Sequence, residues 1–476
     1  METLRGKEHS NWLVVLCVGS CIVWFFLCLN IFDFDFDLPV TPYNHKRIMQ
    51  VALVSLLCSF FLVPSYRHVV RSVLEESLLI RSWLVSLVFI SASGLLADNP
   101  LHSFFESLHW LFLLSVFCVG FYVARQGMGG GVLLGILLLH GLMLLKALAF
   151  LMFELAAKVP VRAEMLYPGV ENTRFFNQVQ VFMVPLLYVW LARSNYKTIA
   201  CLFLFINLLL AFAGGARGLL VGLIAGGLVA YVLLKPWRAE VLKAACVCVI
   251  ACVSYLLLQL LSEVGERADA FRAHSSGRIT IWINLIEALG PAHFWLGEGT
   301  GSFSYHDFKR HEGHPHNSLL QFIYEWGALG AGAAIVSFAC VLLKAYKFFN
   351  QSDNCQHQLD ITAGLAVSLV SAGFYSLFSG LVVMPMPQTL LFLFAGILLG
   401  GLPDYLQSEV AGVHASPKLP GGSWLTYRYL VWGVAFILFG VYLHLFGTYL
   451  LQQAELPEVF KGPRFWAQGA QMKWEI

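Results

Sequence analysis

Apolar residues run along this chain in blocks of roughly 20, separated by short polar connections and without two-residue alternation inside the blocks. A helix of that length crosses the hydrocarbon core of a bilayer with every backbone hydrogen bond made internally. A membrane β-barrel needs short alternating segments instead. The blocks fall at 12–32, 47–65, 78–97, 102–123, 130–153, 176–193, 197–213, 216–235, 242–262, 316–345, 358–382, 386–403 and 424–447. They predict an all-α polytopic membrane protein with about 12–13 membrane helices.

The connections give an orientation. Met1 to Ser10 is polar, with Arg5 and Lys7, and the apolar run Trp12–Phe32 follows without a small-residue cleavage site. That predicts an uncleaved first helix with its N-terminus inside. Counting on from there, Arg67, Arg71, Arg125, Arg193, Lys197, Lys235, Arg238, Lys243, Lys344 and Lys347 all fall on inner connections. The short outer connections near Asp98–Pro100 and Met384–Pro387 hold no Lys or Arg. Positive charge in short loops marks the cytoplasmic side. The expected organisation is one membrane domain: helices over 1–261, an outer loop over 262–315, helices over 316–447 and a tail over 448–476.

Composition adds exclusions. Charged residues are 12% of the chain, about half the soluble norm of roughly 25%, so a soluble fold of this length lacks polar surface. The formal net charge is +2 and no basic tract occurs, so no nucleic-acid partner is expected. Ten of the 11 cysteines lie in apolar blocks, and only Cys355 is in a polar connection. They read as small core hydrophobes, with no disulfide framework and no zinc spacing.

Two outer segments are long enough to fold, about Glu154–Phe175 and Ser262–Pro315. The second and the residue that follows it hold six of the 15 histidines (His274, His293, His306, His311, His314, His316), with Arg267, Arg272, Arg278, Lys309 and Arg310. Loops of that length in compact proteins usually carry function. Its first motif is Gly277-Arg278-Ile279-Thr280-Ile281-Trp282, opening a helix on which Arg278 and Trp282 share a face. That face suits either a lipid phosphate or simple interfacial anchoring. The second, Gly297-Glu298-Gly299-Thr300-Gly301, lacks the βαβ context of a dinucleotide fingerprint and the Lys of a P-loop. It reads as a turn packed beneath the loop. The third, His314-Pro315-His316-Asn317, stands at the outer N-terminus of a membrane helix. A helix N-terminus disfavours imidazolium, so a neutral, basic ring is expected there. The alternatives are a polar helix cap and a metal site using His314, His316, His311 and Asp307 or Glu312. Arg217, in Gly214-Gly215-Ala216-Arg217-Gly218, is placed at an outer helix mouth. It is either a site residue or a snorkelling cation. Arg174 and Gln178, four apart near a helix start, can line the same cavity or cap the helix. Lys146 lies deeper and is given no role.

Taken in order, Ala216-Arg217-Gly218, Gly277-Arg278 with Trp282, Gly297-x-Gly299-x-Gly301, His314-Pro315-His316-Asn317 and Glu325-x-Gly327 resemble the O-antigen ligase family of membrane glycosyltransferases. The resemblance covers about residues 170–345. It implies a C-type glycosyltransferase fold in a bacterial inner membrane, with the site facing the periplasm. It also implies en bloc transfer of a glycan from undecaprenyl diphosphate to an acceptor hydroxyl, with no cofactor and no metal. Arg217 and Arg278 would hold the diphosphate, and His316, with His314 as second choice, would be the base, with Arg174, Gln178, Trp282 and Asn317 in support. The acceptors implied are a pilin-like protein, lipid A-core or a growing glycan. Acceptor and carrier meet this site among membrane lipid. A transporter of lipid-linked sugar is the rival class. No carboxylate pair at glycosidase spacing is evident, which disfavours hydrolysis.

Overall fold

The computed structural model describes residues 2–32, 42–75, 77–158, 173–192, 195–261, 277–305, 313–350, 356–402 and 423–454. Among these, every regular element is helical. In chain order they are α1 (Glu2–Leu29), α2 (Pro42–Ser59), α3 (Pro64–Glu75), α4 (Ser77–Leu96), α5 (Pro100–Phe112), α6 (Leu114–Arg125), α7 (Gly129–Ala156), α8 (Thr173–Ala192), α9 (Lys197–Ala213), α10 (Arg217–Leu233) and α11 (Arg238–Leu261). Two short helices follow in the outer loop, α12 (Arg278–Ala288) and α13 (Pro291–Leu296). The chain then continues through α14 (Ser318–Asn350), α15 (Gln356–Ser376), α16 (Pro385–Gly400) and α17 (Ser423–Ala454). Seven spans are long and apolar enough to cross a bilayer, and four shorter apolar helices accompany them. The protein is an all-α polytopic membrane protein.

Helix packing follows the small residues. α6 lies along α16, where a Cβ on Gly396 would stand 2.1 Å from the Phe117 carbonyl oxygen. α10 lies along α15, where a Cβ on Gly226 would meet the Ser371 hydroxyl. Lipid offers helices no hydrophobic drive to associate, so close backbone approach through glycine supplies the contact. α14 packs on α4, and α15 also packs on α8, which carries the start of α8 to the end of α15.

Three elements differ from the pattern of apolar blocks. The block expected as one helix over 102–123 divides at Leu113 into α5 and α6, a break that keeps helical backbone angles and leaves one continuous span. The inner connection holding Arg67 and Arg71 is itself a helix, α3. Tyr66, Val70 and Val73 bury one stripe, and the basic residues take the other. Finally, α14 is interrupted at Gly327, whose φ of 69° and ψ of 168° leave the helical region. That interruption matters for the site.

Candidate functional site

At the break in α14 the backbone loses its regular helical partners, and the Gly297–Gly301 turn supplies replacements. The Glu298 amide donates to the Tyr324 carbonyl at 2.8 Å and the Gly299 amide to the Glu325 carbonyl at 3.0 Å. Ser93 of α4 donates to the same Glu325 carbonyl at 2.6 Å and accepts from the Gly299 amide at 2.7 Å. Gly297 and Gly327 face each other so closely that a Cβ on Gly297 would stand 2.5 Å from the Gly327 nitrogen. Both have positive φ, which glycine adopts without strain. The glycine motif is therefore a structural splice against α14, not a phosphate cradle.

The splice fixes α12. Ile281 and Leu285 are buried against Phe303 and Tyr324, the two ends of the spliced region. Trp282, on the adjoining face, donates its indole N–H to the Pro315 carbonyl at 2.8 Å. This tryptophan is thus a tie between α12 and the histidine motif, not a lipid-facing anchor. Arg278 opens α12, behind Gly277 at φ 80°.

Two further arginines occupy equivalent positions on other helices. Arg217 is the first residue of α10, delivered by the Gly214-Gly215-Ala216 turn with Gly215 at φ 63°. Arg174 is the second residue of α8. These starts meet around Tyr375 and Ser379. Thr173 lies against Gly214, and the Tyr375 ring lies against Gly218. The Tyr375 hydroxyl hydrogen-bonds with Ser379 and stands within electrostatic range of both Arg278 and Arg174. Gln178 donates to the Ser379 hydroxyl at 2.8 Å. Three helix starts that carry arginines thus lie around a polar pocket formed by Tyr375, Ser379 and Gln178. Free N–H groups and the helix dipole favour an anion at each such end.

The histidine motif closes the other side. The Asn317 side chain accepts from the Leu320 amide at 3.0 Å, so it caps α14. Ser318 donates to the Ser379 carbonyl at 3.4 Å. His314 is buried against Gly380, and His316 is only partly buried with its backbone at φ 56°. The two rings meet edge to face, 4.3 Å between centroids. The His316 amide donates to His314 Nδ1 at 3.2 Å. A neutral His314 ring whose Nδ1 accepts carries its proton on Nε2, which leaves it no free basic nitrogen.

An apolar cavity of about 430 Å³ lies between α4, α5, α6, α14, α15 and α16. Aromatic side chains dominate its wall, among them Trp83, Trp110, Phe322, Trp326 and Phe392, and Ser318 belongs to the wall as well. The polar pocket and the apolar cavity therefore share a residue.

Arg174, Gln178, Arg217, Arg278, Trp282, His314, His316 and Asn317 are all among the described residues, at the places given above. His274, His306, His311, Asp307, Glu312, Arg267, Arg272, Lys309, Arg310 and Cys355 lie outside the described residues. The metal alternative rested partly on His311, Asp307 and Glu312. Tyr375, Ser379, Gly380 and Thr173 are contributors that sequence reasoning passed over. The signal for two of them was the pair Ser379-Gly380 near the end of an apolar block. Lys46 and Arg47 also stood at a block edge, yet both are buried a turn inside α2. Lys46 reaches the Phe175 ring beside Arg174, 6.0 Å from its centroid.

No curated protein matches this chain. A family model described as O-antigen ligase matches residues 202–335, the stretch from α9 through Arg217, Arg278, the glycine splice and the histidine motif into α14. Over that stretch, a little over a quarter of its length, the chain is similar to the O-antigen ligase family, and the match supports a glycosyl-transferring membrane enzyme.

Proposed function

We propose that this protein transfers a glycan en bloc from undecaprenyl diphosphate to an acceptor hydroxyl at the periplasmic face of a bacterial inner membrane, as an O-oligosaccharyltransferase acting on a pilin-like protein. The observation that carries the reading is the convergence of Arg174, Arg217 and Arg278, each at a helix N-terminus, beside the His314–His316 motif. A diphosphate leaving group needs that charge, and planar guanidiniums bind its oxygens in pairs. The apolar cavity that shares Ser318 with the pocket supports a donor with a hydrocarbon tail. In the reaction, His316 takes the proton of the acceptor hydroxyl and the oxygen attacks the anomeric carbon. The bond from that carbon to the diphosphate oxygen then breaks, and the arginines neutralise the charge left on the carrier. Removing one such electrostatic contact costs about 10²–10³ in rate, and a general base contributes about 10²–10⁴.

A protein acceptor is preferred on sequence grounds, because the thirteen-block topology leaves 448–476 on the outer side. Lipid A-core is the second reading, favoured by the description of the matching family model.

Purified enzyme in liposomes, given lipid-linked glycan with a pilin or with a lipid A-core acceptor, tests the function. Mass spectrometry should find glycan on one acceptor, and His316→Ala should abolish the product while carrier binding persists. The rate should fall at acid pH, because a protonated ring accepts no proton. Translocated carrier lipid with neither acceptor modified would replace the transferase reading with the transporter.

A further inference from the structure

Outside the pocket, the most densely bonded buried group is the Arg47 guanidinium of α2, 2% exposed. It donates to the Val383 carbonyl at 2.7 Å, the Tyr43 hydroxyl at 2.9 Å, Gln50 Oε1 at 2.6 Å and Gln388 Oε1 at 3.2 Å. Gln50 extends the network to the Pro385 carbonyl and Thr389 at the start of α16. His109 stands 3.4 Å from the guanidinium on α5 and bonds the Tyr442 hydroxyl of α17 at 2.8 Å. Such a buried cation in a membrane helix is costly, and such residues usually have a task.

The bond to Val383 points to that task. Val383 ends the one-turn segment between α15 and α16, and its amide donates to the Gly380 carbonyl at 3.1 Å. Gly380 is the surface on which the His314 ring lies, and a Cβ there would stand 2.6 Å from three atoms of that ring. The preceding residue, Ser379, holds Gln178 and Ser318. A single turn therefore carries the floor of the histidine motif at one end and the Arg47 bond at the other.

We infer that Arg47 is a positioning residue for the transfer reaction, holding the Ser379–Val383 turn so that His314 and, through it, His316 stand correctly over the pocket. This rests on the proposed function, in which His316 is the base. Each bond of Arg47 named above is to another part of the protein. Its loss should act on the proton-accepting step and leave the arginines of the pocket in place.

The test is Arg47→Lys in the purified, reconstituted enzyme. It keeps the charge and loses the fork that reaches Val383, Tyr43 and Gln388 together. The kcat should fall about 10- to 100-fold, the size of effect that small misplacements produce, while the KM for lipid-linked glycan holds and the acid limb of the pH profile moves. Carbethoxylation of His314 and His316 by diethyl pyrocarbonate, read by mass spectrometry, should change several-fold. Gly380→Ala, whose φ of −76° admits alanine, should reproduce both effects by displacing His314 from the other side. Wild-type kcat and wild-type histidine reactivity in Arg47→Lys would overturn the inference. So would a fallen kcat with a raised KM and unchanged histidine reactivity, the pattern of a general loss of structure. If Arg47→Lys fails to fold, Gln388→Met removes one arm of the network and is judged by the same two readouts. If the wild-type enzyme transfers no glycan, the proposed function fails, and histidine reactivity still decides the positioning role.

Discussion

Each of the three arginines of the pocket has its own route to the same place. Arg217 arrives on a glycine turn, Arg278 behind Gly277, and Arg174 beside the packed Thr173. Their value lies in geometry as much as charge, because a guanidinium engages two phosphate oxygens in one plane and an ammonium does not. Arg217→Lys and Arg278→Lys should each lower the transfer rate about 10²–10³-fold, measured with purified enzyme and lipid-linked glycan. Near-normal rates in both variants would dismiss the diphosphate clamp. The histidine assignment also lives at this scale. Motif reading already puts His316 ahead of His314 as the base. A single hydrogen bond, from the His316 amide to His314 Nδ1, separates them. No pattern of residue types contains that information, since it depends on the left-handed backbone at His316.

Among the elements, the broken helix α14 sets the site. A membrane helix interrupted at Gly327 exposes carbonyls that lipid cannot satisfy, so another segment must bond them. The glycine turn does so, and its conformation admits no side chain. Gly297→Ala should therefore be among the most damaging changes outside the pocket. It combines a φ of 80° and a ψ of 172°, a region kept almost to glycine and costing a side chain about 1–3 kcal/mol, with a clash against the Glu325 carbonyl at 2.5 Å. A thermal unfolding midpoint well below wild type is expected, with loss of activity following loss of folded protein. A wild-type midpoint would show that the splice tolerates a methyl group. The spacing of these glycines was plain in the sequence, and so was their reading as a turn beneath the loop. Their partner on α14 was not, because Gly297 and Gly327 come together only through the hairpin of α13 and α14.

For the whole molecule, the prediction concerns sidedness. The three arginine-bearing helix starts and the histidine motif gather at one end of the bundle, and the basic inner connections lie at the other in the charge-based topology. Ile279 of α12 is 55% exposed and stands beside Arg278, so it reports directly on the face that carries the site. In a background with the exposed Cys246 replaced by Ser, Ile279→Cys should react with a membrane-impermeant maleimide added from the periplasmic side. Reaction only after the inner membrane is opened would reverse the orientation, and the proposed encounter with periplasmic acceptors with it. α12 keeps Ile279, Ile283 and Ile286 exposed while burying Ile281 and Leu285. This is the division expected of a short helix lying over the end of a bundle.

The sequence by itself determined the class of molecule and where its unusual polar motifs stand. Long apolar blocks permit little besides membrane helices, since the bilayer leaves no other way to satisfy the backbone. The order of the arginine, glycine and histidine motifs was legible because those residue types are costly in or near lipid and stand out against it. What only the tertiary structure decided is which of these groups meet. Arg174, Arg217 and Arg278 are far apart in the chain, and their convergence depends on small-residue contacts that bring α8, α10 and α15 together. Ser379, Tyr375 and Arg47 were hidden at the edges of apolar blocks. A hydroxyl or a guanidinium there reads as an ordinary helix end until packing buries it and gives it partners. Local pattern reports what a segment can bury, whereas a site is made by contacts between segments distant in sequence.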